Sequence, residues 1–474
     1  MSHTWSWTVA PGAESLARSL ASSESAWFPP SAPEKENGVR VLFRHDGLYC
    51  KYFKKRRDQA DSEWKALTHL SRQGVPVPRP VAWSPAPGGG AVLATQEIAG
   101  AVPLKEAYSR ELLPAVAVLL RSLNGSGFLH LDLHTGNILV AAGRLFVIDL
   151  HRGRIGSVSA KDEERAIGQF AYSLSRIASH ADVMRLVKSA LGKSADLEGR
   201  MRRVNLHSDA FRRRHIASRT RRCLKESTGF SVLRGPAGLV FARKPSRPED
   251  ALAALAHHDK LCAGGLASKV LEGRSVSTFD GLVVKEWKTG GPFRALRNWV
   301  RGTPARAAWI GAQGLRVRGL PAPEAVGLVE QRGRSAFVAK ELPGKPLDRF
   351  CREDVPRLKD RRPFLDGLAS LVARLHRADA HHRDLKANNI LADGPTRFAF
   401  LDLEDLEFRR VRRADSVKAL AQLNAALPEL TRADRWRMLK RYAAGWKGLG
   451  DLRAAAAEIM RLTVARKHNW PPRA

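Results

Sequence analysis

The sequence predicts an α+β protein made of two tandem copies of one domain, each a small β-rich lobe followed by a mostly helical lobe. Three observations carry that expectation. At 474 residues the chain has room for roughly two to four domains of ordinary size. Several blocks recur in the same order, which is the signature of an internal repeat. GVPVPRPVA from Gly74 returns as GLPAPEAVG from Gly319, with Trp64 and Trp309 at the same offset ahead of them. QEIAGAVPL from Gln96 returns as KELPGKPL from Lys340, and HLDLHTGNIL from His130 as HRDLKANNIL from His382. LFVIDL from Leu145 returns as FAFLDL from Phe398, and AIGQFAYSL from Ala166 as ALAQLNAAL from Ala419. Within each copy, finally, the apolar pattern changes from alternation to helical spacing.

Taken in order, Val39–Phe43 and Leu48–Phe53 alternate around the turn signal His45-Asp46-Gly47, which predicts a hairpin. Ser62–Gln73 has helical spacing and stops at Gly74, with prolines beyond. Val92–Ile98 predicts a strand and Leu112–Leu123 an apolar helix; after a loop from Gly125, Leu145–Leu150 predicts another strand. The second copy follows the same plan: strand Leu282–Trp287, helix Arg306–Arg316, strand Ala336–Leu342 and helix Phe364–Arg377. Between the copies, Gly238–Arg243 is strand-like and Glu249–Leu261 helical. The border is expected near residue 215, giving domains 1–215 and 216–474.

Composition narrows the function classes. With 44% hydrophobic and 27% charged residues the chain can bury a core, which excludes a disordered polypeptide and a disulfide-stapled scaffold. Cys50, Cys223, Cys262 and Cys351 are far apart and none forms a Cys-x-x-Cys pair, so neither a zinc site nor a redox motif is expected. No apolar run approaches the roughly 18 residues of a spanning helix, and the N-terminus lacks a basic segment followed by an apolar one. A cytoplasmic location is therefore expected. The 80 Lys+Arg against 47 Asp+Glu leave a net charge of +33, a field that attracts polyanions. Residues 200–225 carry ten Lys+Arg against one acid, Asp209, and residues 285–318 carry eight against one. The first stretch reads as a solvated linker face or as a surface for anionic lipid or phosphorylated sugar. Nucleic acid is disfavoured, because no zinc finger, aromatic RNP-like motif or helix-turn-helix accompanies the charge.

The chemistry is in the repeated blocks. Asp132, Asn137 and Asp149 of the first copy recur as Asp384, Asn389 and Asp402. Phosphoryl transfer from a nucleotide needs such a set: one Asp to orient the attacking hydroxyl and accept its proton, an Asn and a second Asp to hold the divalent metal that bridges the phosphates. A strand lysine must also reach the α/β-phosphates, and Lys51 and Lys285 stand on the corresponding strands. A helix Glu normally fixes that lysine, and Glu63 is positioned for it.

On these residues both halves resemble protein-kinase-fold domains. The catalytic-loop signature is complete as HRDLKANN in copy two and reads HLDLHTGN in copy one, while Asp149-Leu150-His151 and Asp402-Leu403-Glu404 stand where Asp-Phe-Gly is expected. Among branches of the fold the chain is most similar to bacterial lipopolysaccharide core kinases, the heptose and Kdo kinases. The Gly-x-Pro-x-Pro segment, the Asp149–Arg152 run and Leu420–Asn424 carry that likeness. The resemblance implies ATP and Mg²⁺ as cofactors, with Glu97 and Glu341 marking the hinge strand beside adenine. It further implies that Lys386 neutralises the γ-phosphate in copy two. Departures are equally clear. Neither copy has a convincing Gly-x-Gly-x-x-Gly loop, Gly273-Arg-Ser being the nearest, and neither has an Ala-Pro-Glu segment. A helix is expected within about 15–20 residues of the metal Asp, too soon for the activation segment of a peptide kinase. Copy two has Ala308 in place of Glu63, so Lys285 lacks its expected partner, and His134 stands where copy two has Lys386.

The resemblance implies a kinase that moves the γ-phosphate to a hydroxyl of an anionic heptose or Kdo unit of the lipopolysaccharide core. At least one copy would be active, in the cytoplasm and peripherally at the anionic surface of the inner membrane. Two alternatives stay open: a phosphotransferase for a small alcohol of the aminoglycoside or choline type, suggested by HLDLHTGN, and a tandem pseudokinase scaffold, suggested by Ala308 and the missing glycine loops.

Overall fold

The structure, a computed structural model, describes residues 5–21, 33–86, 89–236, 238–291, 293, 296, 298, 300 and 302–466. The chain divides into two compact units, Met1–Arg214 and His215–Ala474. Each is α+β, an antiparallel sheet followed by a helical lobe, as the sequence predicts.

In the first unit the strands run in the order Thr8–Val9, Pro80–Ala86, Gly90–Gln96, Leu48–Phe53, Arg40–His45, Lys35–Glu36. The hairpin forms where expected: Asp46 (φ 45) and Gly47 (φ 69) supply the two positive-φ residues that a tight hairpin turn requires. Alternation then splits the strand Leu48–Phe53 between two cores. Phe53 joins the cluster beneath the sheet, while Leu48 and Cys50 pack on the other face against Ala13, Ala17 and Leu20 of the N-terminal helix Glu14–Ala21. That helix and its two-residue strand lie outside the elements expected from sequence, although Ala13, Leu16, Ala17 and Leu20 recur at helical spacing.

Helix Arg57–Arg72 begins ahead of the expected Ser62 because its first turn is polar, and it buries Ala60, Glu63, Ala66, Leu67 and Leu70. A carboxylate on an otherwise apolar buried face is the anomaly that points to function. Gly74 (φ 68) ends the helix, with the Val75 N–H donating to the Leu70 carbonyl at 3.0 Å. The helical lobe follows in Leu113–Gly125, Ala160–Leu174, His180–Leu191 and the long Leu197–Arg221. This last helix holds most of the basic stretch 200–225. Arg200 and Arg203 pair with the buried Glu164, whereas Arg213, Arg214, Arg219 and Arg221 are exposed.

The second unit repeats the six-strand order and adds one edge strand: Phe230–Gly235, Gly238–Arg243, Ala325–Gln331, Arg334–Lys340, Leu282–Lys288, Arg274–Phe279, Lys269–Leu271. Asp280 (φ 48) and Gly281 (φ 69) make the equivalent turn. Helix Pro248–Ala263 covers the outer face. Helix Pro304–Val317, capped by Thr303, lies very close to the loop that follows Asp402: a Cβ at Gly311 would come within 2.3 Å of the Leu403 carbonyl oxygen. Helices Arg362–Arg377, Arg413–Ala425, Arg432–Gly445 and Leu452–Ala465 complete this unit.

Several boundaries differ from expectation. The strand expected over Val92–Ile98 spans Gly90–Gln96, and the one expected over Ala336–Leu342 spans Arg334–Lys340. The strand predicted over Leu145–Leu150 spans Arg144–Val147, because Asp149 adopts a left-handed backbone (φ 62) that no ladder accommodates; Asp402 (φ 50) does the same after Phe398–Phe400. The helices after these aspartates start at Ala160 and Arg413, within the roughly 15–20 residues expected. Among the described residues no helix is long and apolar enough to cross a membrane.

Candidate active site

Each unit builds its catalytic-type loop on the same hydrogen-bonded frame. In the first, the Asp132 N–H donates to His130 Nδ1 (3.1 Å), so the His130 proton sits on Nε2, 3.3 Å from the Ile148 carbonyl. Asn137 Nδ2 donates to the Asp132 carbonyl (3.0 Å), and the Ile148 N–H to the Asn137 carbonyl (3.0 Å). The second unit repeats every link: Asp384 N–H to His382 Nδ1 (3.3 Å), His382 Nε2 to the Leu401 carbonyl (2.9 Å), Asn389 Nδ2 to the Asp384 carbonyl (2.8 Å), Leu401 N–H to the Asn389 carbonyl (2.8 Å). Both histidines brace the loop. Burial pushes the His130 pKa down to about 4, against the opposing effects of its bond to Ile148 and the nearby Asp132 and Asp149.

The carboxylates of Asp132 and Asp384 stay accessible, each beside one cation. Arg152 approaches Asp132 Oδ2 at 3.2 Å, and Lys386 approaches Asp384 Oδ2 at 2.8 Å. Arg383, in the catalytic loop of the second unit, instead pairs with Asp405 at 2.9 Å.

In the first unit Lys51 Nζ lies 2.5 Å from Glu63 Oε1 and 3.8 Å from Asp149 Oδ1. Burial opposes the Lys51 charge, but Glu63 and Asp149 outweigh it and lift the lysine above its ordinary pKa. Arg40 Nη1 reaches Asp149 Oδ1 at 2.7 Å, and His151 Nδ1 stands 3.0 Å from the same oxygen and 3.8 Å from Glu63 Oε2. Burial would raise the Asp149 pKa; His151, Lys51 and Arg40 together hold it well below the carboxylate range. A cleft of about 460 Å³ opens here, lined among others by Arg40, Lys51, Glu63, Glu97, Asn137 and Asp149.

The second unit gathers the same charges differently. Lys285 Nζ is 2.5 Å from Asp402 Oδ1 and 3.5 Å from Glu404 Oε2; Arg274 Nη2 is 3.4 Å from Asp402 and 3.3 Å from Glu404. Lys285 and Arg274 overcome burial and keep Asp402 below its ordinary pKa. Glu97 and Glu341 directly follow their strands, their N–H groups donating to the Gly47 and Gly281 carbonyls at 2.9 and 2.7 Å. Glu97 also meets Arg44 at 3.1 Å, while the Glu341 side chain is exposed.

These residues fit a magnesium nucleotide. Asn137 with Asp149, and Asn389 with Asp402, offer the oxygen donors that Mg²⁺ prefers, and a lysine and an arginine stand beside each aspartate. Glu63, Asp149 and His151 also have ligand atoms within 4.8 Å of one another, but Lys51 and Arg40 already neutralise both carboxylates. Sequence reasoning missed Arg40, Arg274 and Glu404. A signal existed for the arginines, which precede Lys51 and Lys285 at the same spacing in the two copies.

The profile of the lipopolysaccharide kinase (Kdo/WaaP) family matches residues 43–189 and 300–442, more than half of the chain. A probable bifunctional tRNA threonylcarbamoyladenosine biosynthesis protein of Halobacterium salinarum is 29% identical over 177 residues, 37% of this chain and 31% of the relative. The chain thus matches less than a third of that relative's length. A solved structure of the bifunctional kinase-methyltransferase WbdD is similar with a TM-score of 0.30 and 14% identity, over 42% of this chain and 45% of the other. Monomeric WbdD gives a TM-score of 0.29 and 13% identity, over 65% and 75% of the two chains.

Proposed function

The chain belongs to the lipopolysaccharide kinase (Kdo/WaaP) family, and from that premise we propose that it transfers the γ-phosphate of ATP to a hydroxyl of an anionic core sugar of the heptose or Kdo type. The observation that carries this reading is the convergence of Lys51, Glu63 and Asp149 on one cleft beside the Asp132–Asn137 frame. Magnesium ATP, when bound, supplies the activated phosphoryl group and the bridging charge. The chain's own part is positioning. Lys51 and Lys285 would grip the phosphates, Asn137/Asp149 and Asn389/Asp402 would hold the metal, and Glu97 and Glu341 would border the adenine with their backbones. Asp132 and Asp384 would align the acceptor hydroxyl and take its proton, while Lys386 would screen the γ-phosphate in the second unit.

The net charge of +33 suits an anionic acceptor and an anionic membrane surface, so we place the protein in the cytoplasm, peripheral to the inner membrane. We assign one kinase-like domain to each side of residue 215. The scaffold alternative rested on Ala308 and on the missing glycine loops; Glu404 beside Lys285 answers the first of these.

The test is Mg²⁺-dependent transfer from labelled ATP to deacylated lipopolysaccharide core, for wild type, Asp132→Ala, Asp384→Ala and the double variant. Loss in one single variant identifies the active unit. ATP hydrolysis without transfer discards the acceptor, and absence of both activities in a folded protein discards the enzyme.

A further inference from the structure

The two units hold equal charge around their lysines but place one acid differently. Around Lys51 and Arg40 stand Glu63, from the helix, and Asp149. Around Lys285 and Arg274 stand Asp402 and Glu404, both from the loop. Glu404 occupies the position of His151, two residues after the metal Asp in each copy, and Ala308 occupies that of Glu63. His151 reaches toward Glu63 (3.8 Å), so the loop side chain at this position already projects to where the helix acid ends in the first unit.

The packing gives a reason for the exchange. Gly311 lies on the same helix face as Ala308, one turn on, and its backbone meets Leu403, the residue between Asp402 and Glu404. A Cβ at Gly314 would fall 2.0 Å from the Phe408 ring. The first unit has the larger Ala66 and His69 at the corresponding positions. A helix stripped to Ala308, Gly311 and Gly314 approaches the loop closely, and Ala308 is itself buried. Glu404 is also buried along most of its side chain, 12% exposed, and it touches both cations at once.

We propose that Glu404 is the lysine-positioning acid of the second unit, replacing the helix glutamate and leaving a competent nucleotide clamp. This rests on the phosphotransferase reading above. Lys285 now sits closer to Asp402 than to Glu404, the reverse of the first unit, where Lys51 sits closer to Glu63. Once Asp402 is engaged by a metal, Glu404 is the acid that keeps Lys285 extended toward the phosphates.

The test uses the full chain and an acyl-phosphate derivative of ATP. A lysine amine beside the phosphates attacks the acyl carbonyl, forming an amide and expelling ATP, and peptide mass spectrometry reads Lys51 and Lys285 separately. Glu404→Gln is expected to lower Lys285 labelling by roughly tenfold, the scale of losing one charged partner, with Lys51 labelling unchanged. Glu404→Asp keeps the carboxylate and is expected to retain most of the labelling; thermal melts establish that both variants fold. Equal Lys285 labelling in wild type and Glu404→Gln overturns the proposal while leaving the phosphotransferase reading intact. Labelling of Lys51 but never of Lys285 overturns it too, and confines nucleotide binding to the first unit. Labelling of neither lysine in wild type overturns both the proposal and the reading beneath it.

Discussion

Glu63→Gln removes the charge that faces Lys51 while keeping the shape of the side chain. Both partners are out of solvent, at 13% and 3% side-chain exposure, so screening by water discounts the pair little. At an effective dielectric of about 20, the contact at 2.5 Å is worth about 7 kcal/mol gross and the Asp149 contact at 3.8 Å about 4 kcal/mol. Desolvation of both ions offsets much of this, and removing one partner of a buried pair costs about 3–5 kcal/mol in practice. Because Asp149 still faces Lys51, the expected loss lies at the low end, ~3 kcal/mol. Urea denaturation of the first unit, followed by hydrogen exchange at amides of helix Arg57–Arg72, measures it at pH 7. The pH dependence has a definite sign. Lys51 is raised above its unfolded pKa of about 10.4, so its contribution is complete below that pH and disappears as pH climbs through the folded value. The gap between wild type and Glu63→Gln should therefore hold from pH 7 to about 10 and shrink above it. A loss under about 1 kcal/mol, the scale of an exposed pair, or a gap indifferent to alkaline pH would refute the reasoning.

Three other outcomes are expected. His376 is buried against the Tyr442 hydroxyl at 2.5 Å, and burial, helped by His381, pushes its pKa down to about 3. Since the unfolded histidine titrates near 6.5, the second unit should lose about 2 kcal/mol of stability between pH 7 and pH 5, and His376→Asn should flatten that slope in equilibrium unfolding. Gly311→Ala should cost ~1–3 kcal/mol, because the new methyl meets the Leu403 carbonyl, which belongs to the backbone and has little room to retreat; differential scanning calorimetry reads the shift. Trp309→Phe deletes the Nε1 bond to the Cys223 carbonyl (2.9 Å) in a fully buried setting and should cost ~2 kcal/mol in the same measurement.

What the sequence made legible was local. The Asp–Asn frames lie five residues apart in the chain, and the hairpin turns are announced by Asp46-Gly47, so spacing alone revealed them. Helix Pro304–Val317 and strand Gly238–Arg243 were likewise evident from periodicity. The contacts made from afar were less so: Lys51, Lys285, Asp149 and Asp402 were placed in one kind of site, but neither arginine nor the direct Lys285–Asp402 pairing was foreseen. Arg40 and Asp149 are 109 residues apart in sequence, Lys285 and Asp402 117 apart, and no pattern within either segment announces the contact. Glu404 was hidden for a related reason: the expected acid belongs to a helix, and its replacement belongs to a loop. The early start of helix Arg57–Arg72 escaped because solvated polar residues fill its first turn and carry no apolar period.

In both units a strand arginine rests on the aspartate expected to hold the metal, with the lysine alongside. A divalent ion arriving alone must compete with two organic cations already seated on that carboxylate. A nucleotide arriving with its ion offers those same cations new anionic partners at the moment the carboxylate is vacated. The resident charges thus favour an order of arrival, with the ion carried in by the phosphates. Titration with free Mg²⁺ should accordingly give much weaker binding than titration in the presence of a non-hydrolysable ATP analogue, and neutralising Arg40 should narrow the difference in the first unit.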